Sequence, residues 1–265
     1  MKVVLFCGGL GTRIREYSAT VPKPMIPIGH EPILWHVMQY YSQYGHRDFV
    51  LCMGYKANVI KNFFLGYKPW LYSDCVVSNG GSNVEVLGKQ QEDWRVALID
   101  TGIWRNIGER LWAVREHVKD EEIFLANYSD GLTDVNLDDM IARFKASGKV
   151  ACFLAVHPAL TFHLADIDET GRVRGLRDSN NADIWINGGY FIMRPAIFDY
   201  MREGEELVVE PFQRLIDADQ LIAYKYTGFW RAMDTLRDSQ ALEEMVERGD
   251  VPWRINEKRS TNRLA

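Results

Sequence analysis

Val3 to Cys7 form an unbroken apolar run closed by Gly8 and Gly9, which predicts a buried strand over residues 2–7. Between 32 and 44 the apolar side chains Ile33, Leu34, Val37, Met38 and Tyr41 recur at helical spacing. Pro32 suits the first turn of that helix and Gly45 its end. Residues 49–53 read as a second strand, and Val59, Ile60, Phe63 and Phe64 mark a second helix that stops near Gly66. Further along, apolar strands at 96–99, 123–126 and 150–156 alternate with helical patterns at 110–118 and 137–144. Near-continuous apolar strands alternating with helices predict an α/β fold, with a mostly parallel central sheet covered by helices on both faces. From about 160 to 195 the strands shorten, with turns expected at Gly171 and at Gly188-Gly189, and this predicts a small antiparallel excursion from the same sheet. A helix over 235–247 and a polar tail after Trp253 close the chain. Neither an internal repeat nor a linker interrupts the pattern, so one domain is expected over 1–265.

Composition narrows the function classes. The 265 residues carry a net charge of −5, 47% hydrophobic and 25% charged side chains, the ordinary make-up of a soluble globular protein. Lys and Arg are scattered, which argues against non-specific nucleic-acid binding while leaving a phosphate-bearing small molecule open. No apolar stretch approaches the roughly 20 residues needed to span a bilayer, so no membrane association is expected. The first residues run straight into a glycine loop, too short a lead for a signal peptide. Cys7, Cys52, Cys75 and Cys152 lie far apart without a CxxC pair, and the six histidines show no metal-ligand spacing. Reduced thiols and a cytoplasmic protein are therefore expected, without a Cys- or His-held metal.

The loop after the first strand carries the first chemical signal. Gly8-Gly9-Leu10-Gly11-Thr12-Arg13 lies where an open α/β sheet places its ligand crevice. Glycines there let backbone N–H groups approach and cradle anionic oxygens, although a plain tight turn would need them too. A dinucleotide loop requires a third glycine where this chain has Ile14, and a P-loop requires a lysine that neither glycine pattern delivers. What remains is G-G-x-G-T-R followed by Lys23-Pro24. That two-part motif resembles the signature of the sugar-1-phosphate nucleotidylyltransferases, most closely their glucose-1-phosphate cytidylyltransferase subgroup. The resemblance implies a Rossmann-like fold of the nucleotide-diphospho-sugar transferase type, with a nucleotide-binding half at about 1–135 and a sugar-phosphate half at about 136–250. It implies an enzyme that transfers NMP, CMP from CTP in this subgroup, to a sugar 1-phosphate with release of pyrophosphate. Arg13 and Lys23 inherit catalytic roles, and Gly8, Gly9, Gly11 and Thr12 inherit nucleotide contacts. Phosphoryl transfer relies on positioning and charge neutralisation, which fits such residues.

Two aspartates extend the match. Asp130, in Tyr128-Ser129-Asp130-Gly131, follows a predicted strand, and Asp234 lies in Trp230-Arg231-Ala232-Met233-Asp234-Thr235. Taken singly, each also reads as a helix cap. Together they resemble the family's metal-binding aspartates, with Ser129 where a glycine is usual, and imply one Mg²⁺ held between Asp130 and Asp234. A phosphate monoester is already an anionic nucleophile, so no general base is assigned. Segments such as Pro32-Ile33-Leu34-Trp35-His36, Gly108-Glu109-Arg110 and Ile186-Asn187-Gly188-Gly189 fall in the order of the cytidylyltransferase subgroup. From that order Arg110 is implied near the nucleotide, and Asn187 and Gly188 near the acceptor. Trp35 and His36 themselves read as helix-face packing.

The acceptor side departs from the family pattern. Ser179 stands where a lysine usually grips the sugar phosphate, and Arg177, two residues earlier on the same strand face, is the candidate substitute. His163 stands where a glycine backbone contact is common, unless the alignment slips by one residue. Three readings stay open: glucose 1-phosphate with Arg177 compensating, a different phosphate acceptor, or a non-catalytic nucleotide-binding relative. Retention of Arg13, Lys23, Asp130 and Asp234 together weighs against the last. The resemblance also implies self-association.

Overall fold

A computed structural model of the chain describes residues 1–9, 11, 21–71, 73–87, 92–158, 163–178 and 183–255. The central sheet has seven strands: β1 (Lys2–Phe6), β2 (Asp48–Met53), β3 (Arg95–Asp100), β4 (Phe124–Asn127), β5 (Ala151–Val156), β6 (Ile186–Met193) and β7 (Leu221–Tyr226). Their spatial order is β7-β5-β6-β4-β1-β2-β3. β1 pairs in parallel with β2 and β4, β2 with β3, and β5 with β7. β6 alone runs antiparallel, wedged between β4 and β5. The sheet is thus mostly parallel, as the alternation of apolar strands and helices implies.

Successive side chains of a strand point to opposite faces, and both faces are buried here. Val3 and Leu5 join one core with side chains of the helices Ile33–Gln43, Leu137–Ser147 and Leu236–Glu247. Val4 and Phe6 join the other, against the helices Ile107–Ala113, Arg115–Val118 and Glu210–Asp217 and the 3-10 turn Pro195–Tyr200. Trp35 and His36 serve packing. Trp35 stacks on Tyr67 at 4.7 Å, and a ring nitrogen of His36 lies 2.8 Å from the Ile28 carbonyl.

Two local differences from the sequence pattern have physical reasons. Gly188-Gly189 is not a turn: it lies inside β6, where Gly189 takes a positive φ of 77° and the strand continues. The antiparallel excursion expected over about 160–195 is met by β6, which runs antiparallel within the central sheet, but its first part stands apart from that sheet. Among the described residues His163–Ile167 and Val173–Asp178 pair only with each other, as an exposed ribbon turning near Gly171. Alternation of apolar and polar residues in these short strands cannot distinguish a free ribbon from a sheet edge, because both leave one face in water.

The parallel strands all deliver their C-terminal ends to one side. There β1 runs into Cys7-Gly8-Gly9, β3 into Thr101-Gly102 and β4 into Tyr128-Ser129-Asp130. A second small ribbon, Gly131–Thr133 paired with Trp230–Ala232, crosses the same end.

Candidate active site

A cleft of about 570 Å³ opens at that end of the sheet, lined by Gly9, Gly11, Lys23, Tyr128, Asp130, Asn187, Gly188, Trp230 and Asp234 among others. This is the crevice position expected for ligands of open α/β sheets. The chain brings its distant acidic residues there through backbone pairing. Ala232 lies opposite Gly131 in the small ribbon, and the Met233 N–H donates to the Asp130 carbonyl at 2.8 Å. Asp130 and Asp234 are therefore set side by side although 104 positions separate them in sequence. Beyond Asp234 the chain enters the helix Leu236–Glu247, whose N-cap is Thr235 in a reciprocal capping box with Asp238. The cap is thus Thr235, not Asp234, whose sequence position also allowed that role.

Lys23 closes the triangle. It opens the 3-10 turn Lys23–Met25, anchored by the buried ring of Pro24. Its ammonium donates to Asp130 Oδ2 at 2.6 Å and to Asp234 Oδ1 at 2.8 Å. Burial works against the charge on Lys23, but Asp130 foremost and then Asp234 outweigh it and hold its pKa above the ordinary lysine value. The Asp130 carboxyl is pushed up by burial, against the pull of Lys23. Two carboxylates facing one point are the hard oxygen donors that Mg²⁺ takes, so the donor chemistry of Asp130 and Asp234 fits such an ion. Among the described residues no group of three or more His, Cys, Asp or Glu could hold a metal.

Ser129, just before Asp130, adopts a positive φ of 66°, a conformation that favours glycine. Its hydroxyl donates to the Phe6 carbonyl at 2.8 Å and its N–H to Asn127 Oδ1 at 2.6 Å. The turn that presents Asp130 is thereby tied to the end of β1. On the other wall, Asn187 accepts from the Gly189 N–H at 2.9 Å and donates to the Tyr128 hydroxyl at 3.1 Å. The Trp230 indole donates to the Gly188 carbonyl at 2.8 Å. Tyr128 and Trp230 were not singled out from sequence. Their adjacency to Asp130 and Asp234 in the chain is the signal that could have found them.

Several expected site residues fall elsewhere. Thr12 and Arg13 lie outside the described residues, as does Ser179. Arg110 does not line the cleft. It is 2% exposed, and its guanidinium donates to the carbonyls of Gly8, Met53, Gly102 and Ile103 and to the Thr101 hydroxyl. Its place is beneath the glycine loop, knotting the ends of β1, β2 and β3 together. This gives Gly8 a reason that phosphate approach did not: a Cβ there would collide with the Arg110 guanidinium. Gly9 has open space around it, Gly11 carries a positive φ of 61°, and both line the cleft. His163 and Arg177 are exposed on the outer ribbon, opposite Asp178 and Leu164 respectively, and neither lines the cleft. Placing Arg177 by strand alternation presumed that its strand borders the cleft, whereas it belongs to the separate ribbon.

Comparison with known proteins bears on this geometry. Residues 2–238 match the profile of the family described as nucleotidyl transferase. The chain belongs to that family. Within the family it is 41% identical over 256 residues to a glucose-1-phosphate cytidylyltransferase of Salmonella typhi, covering 96% of this chain and 99% of the relative. A probable glucose-1-phosphate cytidylyltransferase of Bacillus subtilis is 33% identical over 257 residues, covering 96% and 100%. Among solved structures, the UTP-bound UGPase of Acinetobacter baumannii superposes with a TM-score of 0.69 at 17% identity, over 100% of this chain and 99% of that one. HddC of Yersinia pseudotuberculosis gives 0.64 at 18% identity, over 92% and 99%. These two likenesses speak for the fold of this nucleotidyl transferase.

Proposed function

We propose that this nucleotidyl transferase joins CMP from CTP to glucose 1-phosphate, releasing pyrophosphate and forming CDP-glucose. The observation that carries the reaction is the convergence of Lys23, Asp130 and Asp234 at the mouth of the Gly9–Gly11 loop. The choice of CTP and glucose 1-phosphate rests on the relatives, which cover 96% of this chain.

In this reading a phosphate oxygen of the sugar 1-phosphate attacks the α-phosphorus of CTP. The new P–O bond forms as the bond to the β-phosphate oxygen breaks, and the electron pair leaves with pyrophosphate. No proton need be removed from the nucleophile, and no histidine lines the cleft among the described residues. The loop backbone at Gly9 and Gly11 receives the triphosphate, with Thr12 and Arg13 completing that contact. Lys23 neutralises charge gathering around the reacting phosphate, a contribution that charge-stabilised phosphoryl transfer depends on. Asp130 and Asp234 would hold Mg²⁺, which would supply Lewis acidity and a template for the phosphates. Tyr128 and Asn187 shape the acceptor wall, and Trp230 fixes it by holding Gly188. Arg110 acts on the nucleotide through Gly8, as a positioning residue. In this reading residues 1–135 form the nucleotide half and residues 136–250 the acceptor half, with Tyr128 of the first bonded to Asn187 of the second.

The test is pyrophosphate release in the presence of Mg²⁺, with each NTP and dTTP against a panel of sugar 1-phosphates. Release with CTP and glucose 1-phosphate is expected. Release with another acceptor would keep the chemistry and move the specificity, and silence with no nucleotide binding would end the reading. Lys23→Ala and Asp130→Asn are each expected to slow turnover by at least about 100-fold with the fold intact by circular dichroism. Near-normal turnover in either variant removes that residue from the mechanism.

A further inference from the structure

Lys23 is asked for in two places at once. Its ammonium bridges Asp130 Oδ2 and Asp234 Oδ1, the carboxylates assigned to the divalent ion, yet the same ammonium is to neutralise the reacting phosphate. We infer that Lys23 is an internal cation which the metal displaces, so that metal arrival and delivery of the ammonium to phosphate are one event. The inference rests on the metal reading of Asp130 and Asp234 given above.

Three observations carry it. The Lys23 side chain is only 16% exposed, and Asp130 and Asp234 are its ion-pair partners among the described residues, so its charge is spent on this pair. A magnesium ion takes carboxylate oxygens at about 2.0–2.1 Å, inside the space that the ammonium holds at 2.6 and 2.8 Å. Two cations between the same two oxygens would repel each other strongly in a half-buried site. Finally, among the described residues no third acidic, His or Cys ligand completes a metal cluster. Two carboxylates, already neutralised by a lysine, give a bare divalent ion little to gain.

The exchange keeps the site neutralised throughout. Before substrate arrives, the ammonium stops Asp130 and Asp234 from repelling each other and holds them in register. When metal and phosphate arrive together, the ion takes over the carboxylates and the released ammonium meets the phosphate. The four-carbon stem of a lysine has the rotamers for this movement, and its root is fixed by buried Pro24. Lys23 therefore lowers affinity for the bare metal and couples metal binding to the anionic substrate.

The experiment uses Mn²⁺ alone as probe, without nucleotide, and measures bound ion by electron paramagnetic resonance on the full-length protein. The proteins are the wild type, Lys23→Met and Lys23→Gln, each with and without Asp130→Asn. Lys23→Gln leaves a polar partner for both carboxylates and covers the case in which the methionine variant fails to fold. The expected result is Mn²⁺ binding at least about ten-fold tighter in the Lys23 variants than in the wild type, although both are inactive. Mn²⁺ should also raise their melting temperature more than that of the wild type, and Asp130→Asn should abolish the gain. Unchanged or weaker Mn²⁺ binding in both Lys23 variants, still lost with Asp130→Asn, overturns the displacement and leaves the metal site standing. Mn²⁺ binding indifferent to Asp130→Asn removes the metal from this pair, and the inference falls with it.

Discussion

Ser129 shows how a single position reconciles backbone strain with the placement of Asp130. At a positive φ a serine costs on the order of 1 kcal/mol relative to glycine. The buried hydroxyl returns a comparable amount, about 1 kcal/mol, through its bond to the Phe6 carbonyl. Ser129→Gly releases the strain and loses the bond, so its stability is expected within about 1 kcal/mol of the native protein. Ser129→Ala keeps the strain and loses the bond, and is expected to be destabilised by about 1–2 kcal/mol. Urea denaturation of the two variants checks the order. If alanine is tolerated as well as glycine, the hydroxyl is not what holds the Asp130 turn to β1. Turnover should survive in the glycine variant, since the carboxylate keeps its place.

At the scale of elements, the loops at the ends of β1, β2 and β3 are held by one side chain on a neighbouring helix. Arg110 reaches them because the helix begins at a capping box, Asn106 with Glu109, which places position 110 on the turn facing Gly8. Arg110→Ala leaves several buried carbonyls without a donor and is expected to cost about 3 kcal/mol or more. Gly8→Ala drives a Cβ into the guanidinium and is expected to cost about 2–3 kcal/mol. In the double variant the collision disappears, so the combined loss should fall short of the sum by more than about 1 kcal/mol. Additive losses by urea denaturation would mean that something other than Arg110 demands glycine at position 8. The same helix shows what the sequence pattern could and could not supply. Its apolar face was legible, but its start lies three residues earlier than expected, because the cap at Asn106 is polar and invisible to hydrophobic periodicity. The helix at 33–43 and the strands of the parallel core were legible for the opposite reason: they are buried through most of their length, and burial writes itself into apolar spacing. Edge strand β7 and the ribbon Cys75–Ser78 with Asn83–Val86 went unread, since half-exposed strands mix polar and apolar residues. Of the site, Lys23, Asp130 and Asp234 were legible because motif spacing survives where contacts cannot be seen. Arg110 was placed near the nucleotide by motif order, while its burial depends on three strand ends meeting in space.

Across the whole molecule, the sheet separates chemistry from stability: the cleft occupies the C-terminal ends of the parallel strands, and the opposite end carries a buried histidine. His46 lies in the turn entering β2, is 8% exposed, and neither ring nitrogen has a hydrogen-bond partner among the described residues. Burial, helped by the N-terminal ammonium and opposed by Asp138, lowers its pKa from 6.5 to about 4. The folded chain therefore keeps His46 neutral over a range in which the unfolded chain protonates it. As pH falls below 6.5 the unfolded state takes up the proton first, and stability declines until about pH 4, where the folded state protonates too. At about 1.4 kcal/mol per pH unit, the loss attributable to His46 approaches 3 kcal/mol. Urea denaturation at pH 7.5, 6, 5 and 4 should show this slope in the native protein. His46→Phe has no titrating ring and should flatten that component, while carboxylates elsewhere keep their own share. The cleft lies at the far end of the sheet, so turnover of His46→Phe at pH 7.5 should stay close to native. An unchanged pH slope in the variant would show that His46 reaches solvent protons in the fold. A large loss of turnover at pH 7.5 would instead show that the two ends of the sheet are coupled.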